Sequence, residues 1–105
     1  MSSIFAEKIY QVLRRVPRGK VTTYAWLARQ INSKAYRAVG SALSKNPYAP
    51  VVPCHRVVRS DGTIGGFMGT KDGSTVMKKK KMLEAEGIVF EGNRIKDFEK
   101  VLFRL

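Results

Sequence analysis

The 105-residue chain has one cysteine, one histidine and one tryptophan, and only 8 Asp and Glu set against 20 Lys and Arg. A lone thiol cannot close a disulfide within the chain, and one Cys with one His falls short of the four ligands of a structural zinc site. These shortages point to a reducing, intracellular setting with no metal and no cofactor. No apolar run approaches the roughly 20 residues needed to cross a bilayer. Met1-Ser2-Ser3-Ile4 leads straight into mixed polar and apolar residues, so no signal peptide and no membrane partner are expected. The shortage of acids leaves a formal charge of +12 and a pI near 10.3. Such a balance suits a polyanion, with nucleic acid the first candidate; a basic surface kept for solubility is the plainer alternative.

The length allows one domain with a single core, expected to be a monomer. Ile4, Phe5, Ile9, Val12, Leu13 and Val16 recur at helical spacing and predict an amphipathic helix ending before Pro17-Arg18-Gly19. Thr22-Thr23 offers a hydroxyl cap for a second helix from Tyr24 to Ile31, and Ser33 one for a third from about Ala35 to Lys45. Two short helices joined by a tight polar turn satisfy the pattern of a helix-turn-helix over about 22–45. The third is rich in small residues, Ala38, Gly40, Ser41 and Ala42, which allow close approach to a neighbouring helix or to a nucleic-acid groove.

Three prolines between Asn46 and Pro53 forbid a helix and make a stiff lead into Cys54 within an active-site segment, 46–59. Val57-Val58-Arg59 and Thr63-Ile64 flank Ser60-Asp61-Gly62 and predict a hairpin with an Asp-Gly turn. The fold class is therefore mainly α with a small β-hairpin, a winged helix-turn-helix-like single domain. A glycine-rich loop, 65–73, is a candidate binding loop without the spacing of a phosphate-binding P-loop. A helix from Ser74 to Glu86, stopped by Gly87, is expected to turn Val76, Met77, Leu83 and the stem of Lys80 inward. The run Lys78 to Lys81 reads as a solvated face. The tail predicts a strand at Ile88-Val89-Phe90, a turn at Glu91-Gly92-Asn93 and a terminal helix carrying Phe98, Val101, Leu102 and Leu105.

A free cysteine taken alone is more often a small buried hydrophobe than a nucleophile. Here the prolines fix its position, His55 can exchange protons near neutrality, and Arg56 and Arg59 make the surroundings electropositive, which favours thiolate. In an extended segment His55 and Cys54 point to opposite sides, so proton transfer between them calls for a water. His55 then needs an orienting acceptor, and Glu86, just before Gly87, is the candidate among the eight acids; an exposed helix-end carboxylate is the alternative.

Asn46-Pro47, Val52-Pro53-Cys54-His55-Arg56-Val57-Val58, the glycine-rich loop and Glu86-Gly87, in this order, resemble the O6-alkylguanine-DNA alkyltransferases. So do Pro17-Arg18-Gly19-Lys20-Val21-Thr22-Thr23-Tyr24 and Arg37-Ala38-Val39-Gly40. The resemblance runs from about Phe5 to Ile88 and corresponds to the family's C-terminal active-site domain. It implies direct-reversal repair, in which a helix-turn-helix binds the minor groove of double-stranded DNA, an O6-alkylguanine is flipped out, and its alkyl group passes to the cysteine. By this resemblance Cys54 is the acceptor, His55 the base acting through water, Glu86 its orienting group, Asn46 the brace of the turn and Tyr24 the proton donor to the leaving guanine. It assigns Arg37, Tyr24, Thr23, Ala38, Ser41 and Arg56 to the DNA surface, with Arg37 filling the space of the flipped nucleotide. Val58, Gly66, Phe67 and Met68 become the base pocket.

Phe67 and Met68 depart from the Tyr and Ser usual in the family, Lys71 to Thr75 looks like an insertion, and the family's extra N-terminal domain is expected to be missing. The short body resembles the alkyltransferase-like proteins, which bind alkylated bases without repair and carry tryptophan where this chain has Cys54. A lesion-binding protein that flags damage is thus the second reading, and a plain winged-helix DNA binder with a structural cysteine the third. The expected compartment is the cytoplasm at the nucleoid, or the nucleus in a eukaryote.

Overall fold

A computed structural model of the chain describes residues 4–66 and 73–105. The elements, in chain order, are α1 (Ile4–Leu13), β1 (Thr22–Thr23), α2 (Tyr24–Gln30), α3 (Tyr36–Ser44), a 3-10 turn (Cys54–Arg56), β2 (Val57–Val58), α4 (Gly73–Ala85), β3 (Phe90–Glu91), β4 (Arg94–Ile95) and α5 (Phe98–Val101). The described residues form a mainly helical body with two small two-stranded sheets. Among them, no helix is long and apolar enough to cross a membrane.

Helix α1 buries Ala6, Ile9, Tyr10, Val12 and Leu13 on one side, while Ile4, expected on that side, stays 79% exposed at the helix start. The buried side packs with Leu27 and Ala28 of α2 and with Val39, Ala42 and Leu43 of α3 into a main core that also takes in Val52, Cys54 and Val57. Tyr10 ties α1 to α3 by donating its hydroxyl to the Ala42 carbonyl at 2.7 Å. At the start of α2, Thr23 Oγ1 accepts from the Trp26 N–H at 3.1 Å, so the expected hydroxyl cap is made. Ser33 does not cap α3. Its Oγ accepts from Ala35 N–H at 3.0 Å and closes the turn before the helix.

The hairpin lies elsewhere than the sequence suggests. The Asp61-Gly62 turn forms, with Gly62 N–H donating to the Arg59 carbonyl and Arg59 N–H to the Thr63 carbonyl. The strand leading into it, however, pairs in parallel with β1, Thr22 opposite Val57 and Thr23 opposite Val58. All four residues are buried, and a two-residue strand covered on both faces is served by a parallel partner better than by an exposed hairpin arm. The antiparallel pair is β3 with β4 around Gly92-Asn93, and Thr63 bridges to Arg94 at its edge. The terminal helix is likewise shorter than expected. Val21 donates to the Val101 carbonyl and accepts from Phe103 N–H, so the chain leaves α5 in an extended form at Leu102.

Helix α4 turns Leu83 inward as expected, yet Met77 is 47% exposed, Val76 is half-buried and Lys79 is buried. Ser74 lies within its first described turn. At its C-terminus Ile88 N–H donates to the Leu83 carbonyl and Gly87 N–H to the Glu84 carbonyl, the paired bonds of a Schellman cap. Leu83 and Ile88 then meet in a second core cluster with Val21, Val58 and Ile95. Gly87 has φ +92°, and a Cβ there would meet no atom within 4 Å. Replacing Gly87 by Ala therefore carries a backbone penalty without a clash, and urea denaturation of Gly87→Ala is expected to show a loss of about 1 kcal/mol with the fold retained.

Candidate active site

Asn46 holds the approach to the thiol. Its Nδ2 donates to the Val52 carbonyl at 2.8 Å and its Oδ1 accepts from Tyr48 N–H at 2.9 Å, with the side chain buried. One amide thus closes the proline-rich segment into a compact loop, because both its donor and its acceptor are spent on backbone six and two residues away. After Pro53 the backbone enters the 3-10 turn instead of the extended path expected, with Arg56 N–H donating to the Pro53 carbonyl at 2.9 Å. Cys54 and His55 are both buried, at 7% and 3% exposure.

His55 Nε2 lies 2.9 Å from Glu86 Oε2. Arg56 grips the same carboxylate through Nε to Oε1 and Nη2 to Oε2, both at 2.8 Å, and donates Nη1 to the Val16 carbonyl at 2.9 Å. Burial alone would raise the Glu86 pKa, but the hydrogen bonds and charges of Arg56 and His55 prevail and bring it down to about 2. Burial lowers the His55 pKa, with the Glu86 bond and charge opposing and Arg56 and Lys79 reinforcing. The imidazole is therefore neutral at physiological pH, donating Nε2–H to the carboxylate and keeping a lone pair on Nδ1. Nδ1 is buried with no hydrogen-bond partner among the described residues.

Tyr24 is half-buried at the start of α2. A side chain on Gly65, φ +70°, would stand 3.7 Å from the Tyr24 hydroxyl and 3.5 Å from Arg59 Cγ, so the glycine lets those groups come together. Burial raises the Tyr24 pKa, Arg59 opposes and Cys54 adds to the rise, which keeps the phenol protonated as a donor. Arg37, Ala38 and Ser41 are exposed along α3 beside Tyr36, 53% exposed.

Several residues assigned to DNA or base contacts stand differently. Thr23 is 2% exposed and its hydroxyl is the cap of α2. Arg56 is committed to Glu86 and the Val16 carbonyl, an internal brace. Val58 is fully buried in the second core, because alternate residues of β2 face opposite ways and its own face is the Leu83 side. Gly66 is half-buried, and Phe67 and Met68 lie outside the described residues. Lys79 is buried, although the lysine run 78–81 reads in the sequence as a solvated face. Its spacing of four from Leu83 and seven from Glu86 places it on the inward stripe and could have marked it. Among the described residues, no group of three or more His, Cys, Asp or Glu could hold a metal ion.

A methylated-DNA--protein-cysteine methyltransferase of Methanothermobacter thermautotrophicus is 41% identical over 88 residues, covering 84% of this chain and 47% of that protein. The chain thus spans about half the length of such relatives. Among solved structures, S. pombe Atl1 in complex with damaged DNA containing O6-carboxymethylguanine superposes with TM-score 0.81 at 29% identity, covering all of both chains. Mycobacterium tuberculosis OGT in complex with DNA superposes with TM-score 0.74 at 34% identity, covering 83% of this chain and 51% of that one. The family model for the 6-O-methylguanine DNA methyltransferase DNA binding domain matches residues 4–88, from α1 through the Glu86 cap, and the chain belongs to that family.

Proposed function

We propose that the chain repairs O6-alkylguanine in double-stranded DNA by taking the alkyl group onto Cys54, each molecule acting once, and that this domain is the active-site half of its longer relatives. The observation that carries it is the arrangement of a buried thiol next to a neutral imidazole. One nitrogen of that ring is held by Glu86 and the other is buried with no partner among the described residues. A buried polar atom is normally satisfied, and a water bonded to Nδ1 would connect it to the Cys54 sulfur.

The steps balance. His55 Nδ1 takes the thiol proton through that water, and Glu86 steadies the imidazolium that results. The thiolate attacks the alkyl carbon, the bond between that carbon and the guanine O6 breaks, and the electron pair leaves with the base. Tyr24 supplies the proton the departing guanine needs, and the proton taken up by His55 returns to the phenolate through solvent, so no net charge is left on either. The product is a thioether, which the residues present have no means to reverse. Duplex DNA is the partner, with the exposed side of α3 at the minor groove and Arg37 filling the gap left by the extruded nucleotide, whose unstacking costs a few kcal/mol. Ala38 and Ser41 keep the backbone of α3 close to the groove.

The second reading, lesion binding without repair, is favoured by the full-length superposition on Atl1. Cys54 separates the two. Incubation with an O6-methylguanine duplex is expected to leave one methyl group on the Cys54 peptide by mass spectrometry, and Cys54→Ser to abolish it while binding persists. An unmodified Cys54 with tighter binding to the modified duplex assigns the protein to lesion binding, and an unmodified Cys54 with equal affinity for modified and unmodified duplex sinks both.

Glu86 gives a second test. Its folded pKa, about 2, lies below its ordinary 4.5, so the unfolded state binds the proton more readily. Stability from this group is complete above pH 4.5 and is lost as pH falls toward 2. Denaturation of Glu86→Gln is expected to show lower stability at neutral pH and a flatter decline across that window. Its transfer rate should fall by about tenfold or more, since the base loses its orienting anion.

A further inference from the structure

Within the run Lys78 to Lys81, Lys79 alone is buried, at 1% exposure. Its Nζ donates to the carbonyls of Val57 at 2.7 Å, Ile64 at 2.6 Å and Gly66 at 2.9 Å. An ammonium has three N–H donors and all three are used. The acceptors belong to two strips of backbone: Val57 follows directly on the Cys54 turn, while Ile64 and Gly66 lie past the Asp61-Gly62 turn on the way into the glycine-rich loop. A buried charge is costly, and filling space would need only a methionine or leucine.

We propose that Lys79 is a positioning residue for the thiol site, its single ammonium fixing the spacing between the Cys54 turn and the backbone that enters the glycine-rich loop at Gly66. The reaction it serves is the repair reading above, whereas the clamp is a property of the fold. Gathering three carbonyls with one side chain from α4 also ties the clamp to the helix whose cap carries Glu86, so the base-orienting carboxylate and the loop entrance move as one piece.

The clamp depends on protonation. Burial pulls the Lys79 pKa down to about 7, the Cys54 charge opposing and Arg59 reinforcing. A neutral amine offers two N–H groups and a lone pair, so one carbonyl would lose its donor. Among the described residues, the charged or titratable groups that interact with it are Cys54 and His55 of the 3-10 turn and Arg59 after β2. Any loss of a proton from His55 on going up through this range would only favour its role as base, burial keeps Tyr24 protonated, and a thiolate nucleophile only gains as pH rises. A loss on going above neutrality is therefore the mark of Lys79.

Hydrogen exchange of the whole chain, read on a peptide spanning Ile64 to Gly66 and corrected for intrinsic rates, tests the clamp without DNA. Protection is expected to fall by about tenfold between one unit below and one unit above the Lys79 value, and to stay level in Lys79→Arg, whose guanidinium remains charged. In single-turnover transfer from an O6-methylguanine duplex, the wild-type rate should decline over the same interval. Lys79→Arg should be slower by about tenfold below it, because a planar fork cannot reproduce three converging bonds, and should lack the decline. Labelling of Cys54 by iodoacetamide should be alike in both proteins. Level protection in the wild type, or a Lys79→Arg protein that matches it in rate and pH profile, overturns the proposal. If Lys79→Arg does not fold, the wild-type exchange profile decides alone. A wild type that shows the pH-dependent protection yet takes no methyl group from DNA sinks the repair reading and leaves the clamp standing.

Discussion

The carboxylate of Glu86 meets parts of the chain that are about thirty residues away in sequence. Its position at the cap of α4, ahead of a glycine in the left-handed region, turns the side chain back onto the 3-10 turn, where Arg56 takes both oxygens and His55 one of them. Arg56 in turn reaches the Val16 carbonyl at the exit of the first helix. The helical body, the thiol turn and α4 are thus fastened at one point. Breaking such a partly buried pair from one side leaves a charge with no partner, which is why it constrains so much around it. The same anion that holds the fold also sets which nitrogen of His55 is free.

Around that point the molecule divides its apolar residues into two clusters. The larger joins α1, α2 and α3 and includes Cys54, while the smaller lies under α4 and the β3–β4 pair. The two meet at β1 and β2, where Val57 faces one cluster and Val58 the other. Basic side chains outside the site serve this architecture too: Arg18 donates to the Ala85 carbonyl and Lys20 to the Lys100 carbonyl, each at the end of a helix where cations are favoured. Part of the large positive charge is therefore spent on closing the fold.

The helices were legible because their apolar spacing is regular and their stops are glycine or proline: α1 before Pro17, α4 before Gly87. The candidate site was legible in its residues, since a single Cys, a single His and one well-placed Glu leave few ways to combine. What could not be read was anything set by non-local backbone pairing. Val57-Val58 looks the same whether it turns back in a hairpin or runs beside Thr22-Thr23, and Leu102 continues a helical spacing until Val21 takes its neighbours' hydrogen bonds. The 3-10 turn at Cys54 was hidden for a similar reason, because proline constrains its own φ and the residue before it while leaving the path after it open. Lys79 was obscured by composition: four lysines in a row look uniform, and only the helical phase relative to Leu83 separates the one that is buried.

The two-residue parallel pairing of β1 with β2 has a consequence for scale. Thr23, which caps α2, is locked opposite Val58, four residues beyond the thiol, and the same packed core holds Val39 of α3 and Cys54 itself. The exposed side of α3 and the sulfur are thereby set at one distance, like the jaws of a fixed gauge. On the proposed reading, such a gauge would measure how far the nucleotide is carried from the helix.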